Sequence, residues 1–393
     1  MTRVAIVAPD DWTLWLFYRH LIIALRDLDA QITAFTAAGP YVPQLLTLGV
    51  EHIPVPYARF IDPLADIRLY RALRHHFRKG RFEIVQNITI KANLYGALAA
   101  SKAGVADIIN TVEGAGLLYS DRPSVRVRLI RAIAEAGLRH ARGVVSQYWF
   151  VNEHDLDVFV ARGLTDREKS VVAMATGVDM RMFDPAAIDA ADIESLRREI
   201  GISPGASLVV NVAGRLLRSK GIAEFIESAR ILQSASSPAT FLLVGPEEPG
   251  NPDAFPTPTL NEAVERGIVR WIPFREDIAT VYAAAEVAVV PSYYAEGTPK
   301  GVLEGMAMAR ACVCSDIPSI RSLVSDGVDA MLVRPRSAES IACAVASLLA
   351  SPVLRDEIGR AARIKAVAQF DGERAAVAAV EKVYGRLSAW QGH

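Results

Sequence analysis

Two glutamates eight residues apart, Glu296 and Glu304, stand in a segment, Tyr293 to Cys314, whose other residues suit the holding of an anion. The apolar run Val287 to Ser292 predicts a strand, with Glu296 in the loop after it, Thr298-Pro299 at a helix start and Glu304 inside the helix. Thr298 is suited to cap that helix, and Pro299 to its first position, where a missing N–H has no intrahelical partner to lose. The first-turn N–H groups, those of Lys300 and Gly301 among them, then point outward and form a phosphate site. Gly297 and Gly301 let a ligand approach the backbone closely. Carboxylates repel phosphate, so the two acids flank the anion and suit hydroxyl groups. A diphosphate with a polyol on each side, a nucleotide sugar, has that pattern.

A second group lies upstream. Leu208 to Ala213 reads as a buried strand running into Gly214-Arg215 and then Lys220-Gly221, before a helix from about Ile222 to Leu232. Two fixed cations five residues apart on a strand-to-helix loop are placed to grip both phosphates of a leaving diphosphate and to neutralise the charge that grows as it departs. Arg218 between them reads as a solvated surface residue.

The frame P-S-Y-Y-A-E-G-T-P-K-G-V-L-E-G-M-A, with the strand before it and the Gly-Arg and Lys-Gly pairs upstream, resembles the donor-site signature of the retaining glycosyltransferases of family 4, which have the GT-B fold. The resemblance implies an α/β chain of two Rossmann-like domains whose parallel sheets face across a cleft, with the active site in that cleft. It gives Arg215 and Lys220 the stabilisation of the departing diphosphate in place of a metal, Glu304 the ribose hydroxyls and Glu296 the hydroxyls of the donor sugar. Gly214 and the backbone of Gly297, Thr298, Pro299 and Lys300 complete the site. Ile268 to Ile278 is similar to the segment that holds the nucleotide base, which makes Phe274 and Arg275 candidates for base contact. The acceptor hydroxyl then attacks on the face from which the nucleotide leaves, a phosphate oxygen takes its proton, and no cofactor or metal is required. Asp27/Asp29 and Asp155/Asp157 have the Asp-x-Asp spacing that binds metal in another transferase fold, but both pairs read as helical surface stretches and are assigned none. A nucleotide-sugar epimerase of the same fold and a non-catalytic nucleotide-sugar-binding subunit stand as the rival readings.

These residues need elements to carry them. At 393 residues the chain is too long for one ordinary core,. Apolar strand-like runs alternate with helical stretches, as in an α/β chain with covered parallel sheets. The expected division is residues 1–185 for the acceptor, 186–370 for the nucleotide sugar, and a closing helix in 371–393 that crosses back to the first domain. The first half reads as strand 3–8, helix 14–28, strand 31–35, helix 41–48, strand 51–55, helix 64–79, strand 83–86, helix 91–103 and strand 107–111, a Rossmann-like order without Gly-x-Gly-x-x-Gly in its first turn. Ile90 to Ala100, Asn110 to Gly116, and Asp11-Trp12 with Tyr18-Arg19 are similar to the acceptor side of the family 4 sub-group that builds bacterial surface polysaccharides. Two residues depart from the pattern. Ser319 stands where many relatives have Gly, and Glu113 where many have His or Thr. Glu113 is either a partner for a sugar hydroxyl or for positive charge at the anomeric carbon, or a capping acid with no chemical role.

Composition bounds the setting. The basic and acidic residues nearly balance, 43 against 44, but Arg68, Arg71, Arg74, His75, His76, Arg78, Lys79 and Arg81 form one basic cluster, and Arg122, Arg126, Arg128, Arg131, Arg139 and Arg142 a second. Arg68, Arg71 and Arg74 recur at helical spacing, which predicts a basic helix face for anionic lipid or a lipid diphosphate; a solvated face is the plain alternative. The start is cut by Asp10 and Asp11 and reads as a first strand, and no uncharged apolar run reaches bilayer-spanning length. Three cysteines, read as buried thiols, fit a reducing compartment,. The expectation is a cytoplasmic enzyme, peripheral on the inner face of the membrane, with a polyprenyl-diphosphate-linked acceptor and no nucleic-acid partner.

Overall fold

The computed structural model describes residues 1–58, 62–114, 125–174, 176–203, 205–234, 239–293 and 296–390. Gly116, Arg122, Tyr294 and Ala295 lie outside the described residues. By its contacts the chain divides into two units: Met1–Gly177 with Ala295–Thr298 and Gly372–His393, and Val178–Tyr294 with Pro299–Asp371. Among the described residues each unit carries one all-parallel sheet.

In the first unit the strands are β1 (Arg3–Asp10), β2 (Gln31–Ala37), β3 (Glu51–Pro54), β4 (Ile84–Ile88), β5 (Asp107–Val112), β6 (Gln147–Phe150) and β7 (Ser170–Val172), in the order β3-β2-β1-β4-β5-β6-β7. The helices are α1 (Asp11–Phe17), α2 (Arg19–Asp27), α3 (Val42–Thr47), α4 (Pro63–Gly80), α5 (Ile90–Ala103), α6 (Val125–Ala141) and α7 (Glu153–Ala161), joined by α16 (Gly372–Val383) from the end of the chain. Strand side chains alternate faces, and the two cores follow that alternation. Val4, Ile6 and Ala8 of β1 meet Leu14, Leu21, Leu25, Leu45 and, from α16, Ala379 and Val383. Ala5 and Val7 meet Leu69, Leu73 and Phe77 of α4 together with α5, Leu138 of α6 and Phe159 of α7. With both faces covered, β1 is apolar almost throughout, whereas β4 and β5 bury polar side chains that bond to one another: Gln86 Nε2 donates to Thr111 Oγ1 at 3.0 Å and Asn87 Nδ2 to Asn110 Oδ1 at 2.9 Å,.

The expected helix over 14–28 is two helices. It starts earlier, at Asp11, because the Asp10 carboxylate accepts from the Thr13 N–H, and it breaks at Tyr18, whose backbone leaves the helical region (φ −117°, ψ 5°) as its ring is buried. The closing helical stretch stops at Val383 and continues in 3-10 turns at Tyr384–Arg386 and Ser388–Trp390. The Tyr384 hydroxyl donates to Gln86 Oε1 on β4, and Ser388 Oγ donates to Asp107 Oδ2 at 2.9 Å, so polar as well as apolar contacts hold this segment to the first sheet.

The second unit carries β8 (Ser207–Val212), β9 (Ala239–Val244), β10 (Arg270–Ile272), β11 (Val287–Val290), β12 (Ala311–Ser315) and β13 (Met331–Val333), in the order β10-β9-β8-β11-β12-β13. Its helices are α8 (Ala190–Glu199), α9 (Ile222–Ser234), α10 (Thr257–Glu265), α11 (Ile278–Ala284), α12 (Lys300–Ala307), α13 (Pro318–Arg321), α14 (Ala338–Ala350) and α15 (Pro352–Gln369). Phe225 and Ala229 of α9 and Val345 and Leu348 of α14 pack on one face with Val209, Leu243, Val289 and Val313. Val178–Asp184 belongs to this unit, where Arg363 donates to the Phe183 carbonyl at 2.7 Å and to the Ala307 carbonyl at 2.8 Å. Cys312 and Cys314 are buried on β12, but Cys343 is exposed on the outer side of α14, so only two of the three thiols fit the buried reading. Among the described residues, no single helix is long and apolar enough to cross a bilayer.

Candidate functional site

In an open parallel sheet, ligands bind outside the carboxyl ends of the strands, where the strand order reverses direction. In the second unit that point lies between β8 and β11, and the loops leaving these two strands carry most of the residues singled out in the sequence.

The loop after β8 turns at Gly214, whose φ of +68° suits glycine and whose missing Cβ leaves open space,. Arg215 follows. Its Nη1 pairs with Glu248 at 3.0 Å, and Asn251 donates to the same carboxylate at 2.9 Å. Two backbone bonds, Leu216 N–H to the Pro246 carbonyl and Phe255 N–H to the Leu216 carbonyl, fix the loop against the segment after β9. Arg218–Lys220 forms a 3-10 turn closed by Gly221 at φ +73°; a Cβ there would lie 2.3 Å from the Pro291 carbonyl oxygen, so only glycine lets this turn lie against the end of β11. Arg215 and Lys220 are half-buried and Arg218 is exposed, which agrees with its reading as solvated.

On the β11 side, the helix begins one residue later than the sequence suggested. Pro299 is the N-cap with extended backbone (φ −71°, ψ 102°), α12 starts at Lys300, and neither Thr298 nor Pro299 supplies a side-chain cap. Pro299 has no N–H, so the donors at this tip belong to Lys300 and Gly301. Gly301 sits against the end of β8, where a Cβ would lie 3.3 Å from the Val212 carbonyl oxygen, and its own carbonyl accepts from the buried Tyr282 hydroxyl at 3.1 Å. That packing sets the first turn of α12 beside the loop that carries Arg215 and Lys220.

Glu304 comes one turn after Lys300. It keeps part of its surface open to solvent, yet the atoms around it desolvate the carboxylate enough to push its pKa up to about 7, with the Lys300 charge pulling the other way,. Its charge in turn adds to the burial that holds the Tyr282 phenol well above its ordinary range. A carboxylate kept this dry is stabilised when a ligand donates hydrogen bonds to it. Phe274 and Arg275 lie past the end of β10. The Phe274 ring is 57% exposed, available for a flat partner. Arg275 is committed elsewhere, with Nε on Asp277 Oδ1 at 2.7 Å, Nη2 on Asp277 Oδ2 at 2.8 Å, and a further bond to Glu199.

The remaining candidates lie in the first unit. Glu113 follows the last residue of β5, close to the buried Tyr18, whose phenol is held well above its ordinary range first by burial and then by the Glu113 charge. Gly297 rests on the same strand end: a Cβ there would lie 1.9 Å from the Glu113 carbonyl oxygen and 2.2 Å from Val151 Cγ2, and the Gly297 carbonyl accepts from Asn152 Nδ2 at 3.3 Å. The glycine at 297 is therefore required by close packing of the chain itself. Glu296 and Thr298 flank it, half-buried. The structure thus brings Glu113 and the Glu296–Thr298 segment together in one unit, and Gly214, Arg215, Lys220, Lys300 and Glu304 together in the other.

Three features were not found in the sequence. Glu248 holds Arg215, and Tyr282 anchors the start of α12; each pairing joins residues 19 to 33 positions apart, with no local pattern to signal it. Thr89, at the end of β4, has φ +81°, a strained backbone for a β-branched residue, with its hydroxyl 3.1 Å from that of Tyr57,. It lies at the first sheet's own reversal point, between β1 and β4. Of the Asp-x-Asp pairs, Asp155 is buried and bonded to Asn152, so that stretch is not wholly surface as expected.

Two family models match the chain in order. A glycosyl transferase 4-like domain covers residues 15–167, and the model for glycosyl transferases group 1 covers residues 207–351. The chain is 26% identical over 370 residues to the N,N'-diacetylbacillosaminyl-diphospho-undecaprenol alpha-1,3-N-acetylgalactosaminyltransferase of Campylobacter jejuni, covering 94% of this chain and 95% of that protein. It is 26% identical over 298 residues to the UDP-Gal:alpha-D-GlcNAc-diphosphoundecaprenol alpha-1,3-galactosyltransferase of Escherichia coli, covering 75% and 74% respectively. Among solved structures, Anabaena HepE in complex with UDP and glucose superposes with a TM-score of 0.78 at 19% identity over 97% of this chain and 99% of that one. At that identity the likeness speaks for the fold.

Proposed function

The chain belongs to the retaining glycosyltransferases of family 4, with the GT-B fold, and from that premise we propose that it moves a sugar from a UDP-sugar to a hydroxyl of a lipid-linked saccharide in surface glycan assembly. The observation that carries the reading is the convergence, at the reversal point of the second sheet, of Arg215, Lys220 and the uncapped tip of α12 with the dry carboxylate of Glu304. The lipid-linked acceptor is supported by the names of both bacterial relatives, and the UDP donor by that of the Escherichia coli one.

In this reading the α12 tip and the two cations hold the diphosphate, Glu304 accepts from the ribose hydroxyls, Glu296 accepts from the donor sugar, and Phe274 covers the base. The bond from the anomeric carbon to the diphosphate oxygen breaks, and its electron pair leaves with the nucleotide, where Arg215 and Lys220 balance the charge. The acceptor oxygen bonds to the same face of that carbon, and its proton passes to a phosphate oxygen of the leaving group. Neither a protein nucleophile nor a metal takes part. The basic face of α4, where Arg68, Arg71, Arg78 and Lys79 are exposed, meets anionic headgroups and keeps the enzyme at the inner face of the membrane,.

Incubation of the purified chain with a panel of UDP- and GDP-sugars, with and without a polyprenyl-diphosphate saccharide, tests this. Transfer that needs the acceptor and keeps the donor's anomeric configuration supports it. Conversion of the donor alone assigns an epimerase instead, and binding without turnover a non-catalytic subunit.

A further inference from the structure

The segment between β9 and α10, residues 245–256, has more order than a surface loop requires. Pro246, Pro249, Pro252 and Pro256 fix their own φ angles and stiffen it,. Gly250 makes its turn at φ +83°. The segment is tied to the loop after β8 at both ends: the Leu216 N–H donates to the Pro246 carbonyl at 3.0 Å, the Phe255 N–H to the Leu216 carbonyl at 2.9 Å, and Leu217 and Ala254 pair as an antiparallel bridge. Phe255 itself enters the core of the second unit.

Side chains complete the connection. Arg215 Nη1 donates to Glu248 at 3.0 Å, Asn251 Nδ2 donates to the same carboxylate at 2.9 Å, and Asn251 Oδ1 accepts from the Asp253 N–H at 2.9 Å. Asp253 Oδ2 then accepts from the Ser219 N–H at 3.3 Å and from Ser219 Oγ, while the Asp253 carbonyl accepts from the Arg218 N–H at 2.8 Å. The Ser219 carbonyl takes the Tyr293 N–H at 2.9 Å, beyond the end of β11. Lys220 is the next residue. An unbroken run of bonds therefore leads from the Arg215 guanidinium through Glu248, Asn251 and Asp253 to the turn that carries Lys220. Among the described residues Arg215 Nε and Nη2 have no bond, so one arm of the fork is tethered and the rest is left for a ligand,.

Two carboxylates beside a diphosphate site weaken the attraction of that site for an anion. Their benefit is geometric, because free arginine and lysine side chains lose rotamer freedom when they close on a ligand, and cations set in advance lose less. We propose that Glu248, Asn251 and Asp253 are positioning residues for the departing diphosphate: they set the spacing between Arg215 and the Lys220 turn before the donor arrives. The proposal rests on the nucleotide-sugar reading of this site and deepens it.

Asn251→Ala and Ser219→Ala each cut one link without changing charge. The full-length variants keep their circular dichroism, and kcat for transfer from the UDP-sugar that wild type uses falls about tenfold or more, with the acceptor KM within a few-fold. In an Arg215→Ala or a Lys220→Ala background, either substitution costs less than about twofold more, because one cation alone has no spacing to keep. An unchanged kcat in both variants overturns the proposal. So does a loss that carries over in full to those two backgrounds, which makes the segment an element of the fold only. Calorimetric titration with UDP separates this inference from the reading beneath it. A wild type that binds UDP but transfers no sugar overturns the transferase reading alone; the same non-additive pattern in UDP affinity then supports the positioning role, and additive losses overturn it. A wild type that binds no UDP overturns both.

Discussion

Glu304 should cost the protein stability at the pH where it works, and Glu304→Gln should recover it. In the native chain burial holds this carboxyl at about 7, against 4.5 when it is solvated. Below pH 4.5 the group is neutral whether the chain is folded or not, and there is no penalty. As pH rises toward 7 the unfolded chain gives up the proton while the native one retains it, so stability falls, and above 7 the loss is complete. The displacement corresponds to about 3 kcal/mol. Solvent still reaches part of the carboxylate, and the glutamine amide also loses hydration, so a net gain on the order of 2 kcal/mol is expected for the variant at pH 8. Urea unfolding at pH 8.0 and 5.5 reads it: the variant's midpoint lies above wild type at pH 8.0, the gap narrows at 5.5, and affinity for UDP drops by about tenfold or more because the acceptor for the ribose is gone. A variant less stable than wild type at pH 8.0, or a gap that does not change with pH, would refute the account of a desolvated carboxylate awaiting hydroxyl donors.

Arg215→Ala and Lys220→Ala should each lower kcat by about 10²–10³-fold while leaving the acceptor KM within a few-fold, as read in steady-state transfer assays, because their charge acts mainly on the departing diphosphate. Glu296→Ala should abolish transfer with an unchanged melting curve, and wild-type turnover in that variant would remove Glu296 from the site. Gly297→Ala places a methyl group 1.9 Å from the Glu113 carbonyl oxygen, so the loop must move; a lower melting temperature together with a loss of activity of about 10²-fold or more is expected, and a silent substitution would contradict the close packing seen here.

The two donor-side groups could be read from the sequence because each is a local feature, a strand followed by a glycine turn or a helix start: Gly214, Arg215 and Lys220 in one, Lys300 and Glu304 in the other. The two lie far apart along the chain, and it is the pairing of β8 with β11 that sets them side by side. Contacts between distant segments left no such trace. Nothing near Arg275 in sequence announces Glu199, and nothing near Arg215 announces Glu248. Gly297 read as room for a ligand, and its close neighbour is the Glu113 carbonyl, a partner from another part of the chain. The helix over 14–28 looked continuous because its apolar periodicity runs through Tyr18, where the backbone leaves the helical region and the ring turns into the core. The basic clusters were visible as charge, whereas which side of α6 faces inward could be read only once Leu94 of α5 was seen to lie against Gly137.

The central claim is that the second unit holds a nucleoside diphosphate at the reversal point of its sheet, and a crystal structure of the chain with UDP tests it most directly. The account predicts the diphosphate at the start of α12, within hydrogen-bonding distance of Arg215, Lys220 and the Lys300 and Gly301 N–H groups, with the ribose hydroxyls on Glu304. Density for UDP at any other place, or a ribose that leaves Glu304 untouched, would contradict it.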